Sequence, residues 1–165
     1  MRKIVAGAAF LLLLAGNNGS IARGHIDSDG CAKGAICGSI PRPLDPSGRV
    51  PGTLDIHYRL YPHTDKHASF KGTIVSQEGG PGYPSTGTSY DYKLLFAPLR
   101  TDHDMLMIDQ RGTGKSGALN CPSIQHSPVR TPRGRGDCGR HLGDAYDLYG
   151  TRLAARDMAA VLDSL

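Results

Sequence analysis

Met105 to Ile108 form an uninterrupted apolar run, bracketed by Asp104 and Asp109. A run this short fits a strand buried on both faces, the pattern of a parallel sheet covered by helices. Two other strands are legible. In TLDIHYRL (53–60), Leu54, Ile56, Tyr58 and Leu60 alternate with polar residues, so one face is buried and His57 falls on the polar one. FKGTIVSQ (70–77) reads as the second. SYDYKLLFAPL (89–99) predicts a short helix ended by Pro98. TRLAARDMAAVLDSL (151–165) places Ala154, Met158, Val161, Leu162 and Leu165 at helical spacing. Strands alternating with helices predict an α/β fold. The last helix carries no stop signal before Leu165, which predicts a piece of a longer domain.

The other segments set the context. Met1-Arg2-Lys3 is basic, Ile4 to Ala15 is apolar, and Ser20-Ile21-Ala22 supplies the small residues of a cleavage site, so residues 1–22 read as a secretory signal peptide. A membrane-spanning helix needs about 20 apolar residues, more than this run offers. Residues 23–52 form a Cys-, Pro- and Gly-rich leading segment full of turn signals, and 53–165 form the domain proper. The net charge of +4 falls to about +2 without Arg2 and Lys3, too little to argue for nucleic acid or an anionic membrane. The basic cluster RTPRGRGDCGR (130–140) has no interleaved aromatics and reads as a solvated loop.

Export places the four cysteines in an oxidising compartment, where they pair. Three connectivities are open. The short-range one, Cys31–Cys37 with Cys121–Cys138, is favoured because each bond closes a small loop rich in Gly or Pro. Spacings of 6 and 17 do not fit a zinc site. His63 and His67 stand four apart, but in a connection broken by Pro62, with no third ligand; no metal is expected.

Two glycine-rich stretches carry the chemistry. DQRGTGKSG (109–117) ends like a phosphate-binding loop, yet Asp109 occupies the place of the first glycine, where a carboxylate would repel the anion. No helix follows directly, so a nucleotide is not expected. Gly79-Gly80-Pro81-Gly82 follows one strand and precedes a helix. Glycine lets backbone approach a bound group closely, and Pro81 lacks an N–H, so donors come from Gly79, Gly80, Gly82 or Tyr83. Amides fixed in such a turn can hold the oxyanion of a tetrahedral intermediate.

Strand, GGPG, helix, then a second strand ending in DQRGTGKSG: in this order the two motifs resemble the α/β-hydrolases of the proline iminopeptidase and tripeptidyl aminopeptidase group, over about Cys31 to Leu165. The resemblance implies the amino-terminal, incomplete part of an α/β-hydrolase fold, a mostly parallel sheet flanked by helices. It implies a secreted or cell-envelope aminopeptidase acting on peptides through an acyl-enzyme, with no cofactor, no nucleic acid partner and no stable membrane insertion. Carried over, Gly79, Gly80 and Gly82 are oxyanion-loop residues, with Gly80 the first donor. Glu78 and Tyr83 flank that loop as substrate contacts. Asp109, Gln110, Arg111, Gly112, Gly114 and Ser116 match the second motif and shape the wall of the site, Arg111 by a bidentate pair with a carboxylate. Glu78 departs from the family's His or Asn: a carboxylate there either repels the developing oxyanion or, pointed away, selects a free amino terminus.

The nucleophile is missing. Neither Gly87-Thr88-Ser89-Tyr90-Asp91 nor Gly114-Lys115-Ser116-Gly117-Ala118 forms G-x-S-x-G after a strand. The serine, the acid and the histidine are therefore expected outside these residues, leaving the chain inactive by itself. The alternative is a secreted, disulfide-stabilised binding module, although four cysteines are sparse for such a scaffold.

Overall fold

A computed structural model of the chain describes residues 30–80, 82–126 and 132–165. The signal-peptide reading of 1–22 lies outside the described residues, as does Pro81. Four strands, β1 (Ile36–Pro43), β2 (Thr53–Tyr61), β3 (Gly72–Ser76) and β4 (His103–Ile108), form one sheet in the order β1-β2-β4-β3. Four helices accompany them: α1 (Ser89–Leu95), α2 (Pro122–Gln125), α3 (Pro132–Leu142) and α4 (Thr151–Ser164).

The sheet corrects the expected fold class. β1 pairs with β2 antiparallel, β2 with β4 antiparallel, and only β3 with β4 parallel. It is a small mixed sheet, mostly antiparallel, and not the mostly parallel sheet of an α/β-hydrolase. The apolar run of β4 misled for a physical reason. Central position buries both faces of a strand whatever the direction of its neighbours. Met105, Leu106, Met107 and Ile108 are all buried here between one antiparallel and one parallel partner.

Alternation along β4 divides the core. Leu106 and Ile108 pack with Ile56 and Val161, joined by Leu54, Leu60 and Met158, so α4 covers this face. Met105 and Met107 pack on the other face with Tyr61, joined by Ile74, Tyr92 and Phe96, so α1 covers it. Each side chain fully buried in this way contributes about 1.5–3 kcal/mol. Both helices leave apolar surface outside, with Tyr90, Leu94, Leu95 and Leu162 exposed.

Two further expectations are corrected. The leading segment 23–52 contains β1, paired with β2 from Ile36↔Leu60 to Pro43↔Thr53. Pro41 and Pro43 hid it, because a proline cannot donate to a ladder; at a sheet edge that loss is tolerated. The basic cluster 130–140, expected as a solvated loop, is helical from Pro132 onward, in α3, with α2 before it. Its glycines, each costing about 1 kcal/mol in a helix interior, gave the loop signal. The Cys121–Cys138 disulfide joins the start of α2 to α3, and Cys31–Cys37 ties the approach to β1 onto β1 itself. Two disulfides fit an oxidising, extracytoplasmic compartment. Among the described residues no helix is long and apolar enough to cross a membrane.

Candidate functional site

β3 and β4 run parallel, so their carboxyl ends lie side by side. The chain leaves β3 into Gln77, Glu78 and the GGPG loop, and leaves β4 into the turn 109–117. The two motifs singled out in the sequence therefore emerge at one edge of the sheet.

Asp109 is fully buried and joins them. Its carboxylate accepts from the Thr86 amide at 2.9 Å and the Thr86 hydroxyl at 3.0 Å, which fixes the turn of 3-10 helix, Ser85–Thr88, that follows the glycine loop. It also accepts from the Lys115 amide at 3.2 Å, closing its own turn. The Gln110 side chain donates to the Glu78 carbonyl at 3.1 Å, a second bridge between the motifs. Ser116, fully buried, donates to the Asp109 carbonyl at 2.8 Å and accepts from the His57 amide at 2.9 Å, so β2 is tied in as well. Gly114 has φ +49°, and a Cβ there would meet the Asp109 carboxylate and Pro84. A side chain at that position is excluded by its neighbours as well as by its backbone.

Arg111 extends this framework to α4. Its Nε donates to Asp157 Oδ2 at 2.6 Å and its Nη2 to Asp157 Oδ1 at 3.0 Å, the bidentate pair expected for this residue. The remaining N–H groups reach the carbonyls of Leu44, Leu148 and Pro43. All five guanidinium donors thus have partners in a site where Arg111 is only 3% exposed. Arg42 reaches Asp157 Oδ1 from β1 at 3.2 Å. A buried charge is tolerated only when paired and hydrogen-bonded to this degree.

The glycine loop is the opposite case. Gly79, Gly80, Gly82 and Tyr83 are all exposed. The Gly79 amide donates to the Glu78 carboxylate at 3.3 Å, which removes it from the available donors. Among the described residues the amides of Gly80, Gly82 and Tyr83 have no hydrogen-bond partner. Gly80 and Gly82 hold φ of +75° and +107°, conformations that L side chains rarely adopt. The base of the loop is firm. The Ser85 hydroxyl accepts from the Glu78 amide at 3.1 Å and from the Gln77 side chain at 3.0 Å. The Tyr92 hydroxyl of α1 donates to the Gln77 carbonyl at 3.0 Å. Burial, and then the neighbouring Glu78 carboxylate, push the Tyr92 phenol above its ordinary value. Two cavities, of about 350 and 370 Å³, lie between residues 45–50 and 144–156, and the glycine loop lines neither.

His57 requires a correction. Expected on a solvent-facing polar surface, it is only 5% exposed, because the turn 109–117 covers that part of β2. Its Nδ1 lies 3.4 Å from the Ser39 hydroxyl and its Nε2 is buried with no partner. Burial is the main cause that lowers its pKa; Lys115 and Arg59 act in the same direction and Asp109 opposes them. His63 is engaged by Asp104 at 2.7 Å. Among the described residues no group of three or more His, Cys, Asp or Glu can hold a metal ion.

Thr86, Ser85 and Asp157 complete the arrangement without having stood out in the sequence. Serine and threonine are common in any loop, and Asp157 sits inside a helix whose pattern speaks only for its apolar residues. Compared with known proteins, the chain matches no family model and no curated sequence.

Proposed function

We propose that the chain is the amino-terminal part of an exported serine hydrolase of the proline iminopeptidase and tripeptidyl aminopeptidase group, releasing residues or short peptides from peptide amino termini. One observation carries the reading. The two family-like motifs leave adjacent parallel strands and are bonded to each other, through Asp109 to Thr86 and Gln110 to Glu78, while the amides of Gly80, Gly82 and Tyr83 have no partner among the described residues. A scaffold that immobilises a glycine loop yet leaves its N–H groups unpaired suits an oxyanion better than it suits a plain turn.

In this reading a serine attacks the substrate carbonyl and the carbonyl oxygen takes up the negative charge. The Gly80 amide, with Gly82 or Tyr83 beside it, donates to that oxygen. Collapse expels the amine, and water then releases the acyl group from the serine. The serine, its histidine and the acid are assigned to polypeptide outside residues 1–165. Glu78, beside the loop and half-buried, takes the substrate's ammonium.

The reading frame beyond codon 165 is the first test: a strand and G-x-S-x-G within about 20 residues support the proposal, and their absence overturns it. Residues 23–165 alone should give no turnover of amino-acyl nitroanilides, because removing a whole triad leaves little beyond binding and the oxyanion hole. In the polypeptide that carries the serine, Glu78→Gln should slow amino-free substrates more than amino-blocked ones. Equal losses on both would remove Glu78 from amine selection.

A further inference from the structure

The cavity of about 350 Å³ between the turn at Asp45 and the start of α4 holds chemistry that the glycine loop does not use. Three arginines, Arg49, Arg152 and Arg156, line it. Arg152 and Arg156 are exposed, stand one helical turn apart, and take no hydrogen bond or ion pair among the described residues. Asp45 also lines the cavity, but its own turn occupies its carboxylate. The Ser47 amide donates to it at 2.8 Å, the Ser47 hydroxyl at 2.7 Å and the Val50 amide at 3.3 Å, with Arg49 at 3.7 Å. The Ser47 hydrogen bonds hold its carboxyl below the ordinary carboxylate range. Asp147 is the other carboxylate on the wall.

The position of these arginines is unfavourable for α4 alone. Like charges four apart on a helix repel, and positive charge near a helix amino terminus opposes the macrodipole. The first turn of α4 contains no acidic residue, and its N-cap, Gly150, gives no side-chain cap. The first N–H groups of the helix therefore open at the end where Gly150 forms part of the cavity wall. A bound anion would reverse each of these costs at once. The cavity has room for one of phosphate size.

We propose that this cavity binds a multiply charged oxyanion of the phosphate type. Arg152 and Arg156 supply the charge-assisted hydrogen bonds, and Arg49 closes the side opposite α4. The site stands apart from the glycine loop, so the proposal does not depend on hydrolase activity.

The test is a titration of the full chain with sodium phosphate, against sodium chloride and sodium acetate at matched ionic strength, read by calorimetry and by thermal melting. Phosphate should bind saturably and raise the Tm, with chloride and acetate giving much less. In the double variant Arg152→Ala/Arg156→Ala, phosphate affinity should fall about tenfold or more. The melting temperature of that variant without phosphate should equal or exceed that of the parent, since only repulsion is removed. A phosphate response no larger than that of chloride or acetate overturns the proposal. So does a double variant that folds and binds phosphate as the parent does.

Discussion

The turn at 109–117 and the loop at 79–82 are both glycine-rich and leave neighbouring strands at the same edge, yet they are built to opposite ends. In the turn, the backbone and side chains are consumed internally. Asp109, Arg111, Thr113 and Ser116 are all buried, and Gly112 donates to the Ser116 carbonyl at 2.8 Å. In the loop, the amides of Gly80 and Gly82, and of Tyr83 just after it, are unpaired among the described residues. Glycine serves close packing in the first and free donors in the second. Composition alone does not separate a scaffold from a site; the fate of the N–H groups does.

The strongest way to break the scaffold is to remove Arg111. Arg111→Met leaves Asp157 buried, with Arg42 as its remaining cation at 3.2 Å. Breaking a buried pair from one side costs about 3–5 kcal/mol, and three carbonyls lose their donors besides. The urea midpoint should fall by that equivalent. A change under about 1 kcal/mol would show that the pair is balanced by its desolvation.

Next comes Gly114→Ala. The handedness penalty alone is about 1–2 kcal/mol. The new methyl must also displace the Asp109 carboxylate, which exposes the Thr86 donors to a further cost of about 1–3 kcal/mol. Gly80→Ala sharpens the comparison. Its φ of +75° imposes a similar handedness penalty, but the nearest atom to the new methyl is the Tyr83 ring at 3.7 Å, an ordinary contact. The loop variant should therefore unfold near the parent, about 1–2 kcal/mol below it, and well above Gly114→Ala. Equal losses in paired denaturation curves would mean that the loop is as tightly built as the turn.

Much of this division was legible before any coordinates. Period-two alternation placed Leu54, Ile56, Tyr58 and Leu60 of β2 on one packed face, but not the burial of His57 and Tyr61 on the other; helical spacing gave the contact of Val161 and Met158 with the sheet. The Arg111 pair was legible as chemistry but not as a partner, since nothing in the helix marks Asp157 as its acceptor. Strand direction was not legible at all. An apolar run reports burial on two faces, and β4 achieves that with one antiparallel neighbour. β1 was lost for a related reason: edge strands carry prolines that a local rule reads as turns. His57 failed because alternation decides which face a side chain takes, while the covering of that face depends on a turn fifty residues further on.

His57 also provides the gentlest probe, a slope instead of a lesion. Its ring is buried and neutral, and burial lowers its folded pKa below the ordinary value of 6.5. The unfolded chain consequently takes up a proton first as pH falls. The stability that His57 contributes is fully present above about pH 6.5 and is lost progressively as pH drops toward the depressed folded value. Replacing it by Gln should flatten the dependence of the urea midpoint on pH across that window, whatever the variant's stability at pH 7.5. The loss should also be local. The His57 amide donates to the Ser116 hydroxyl at 2.9 Å and its carbonyl accepts from the Asp109 amide at 3.0 Å, so acid should lower the protection factors of the His57 and Asp109 amides. The amide of Gly80, already unpaired, has no protection to lose. If the parent's midpoint is as flat as the variant's between pH 7.5 and 5.5, protonation of the imidazole is not what the turn resists.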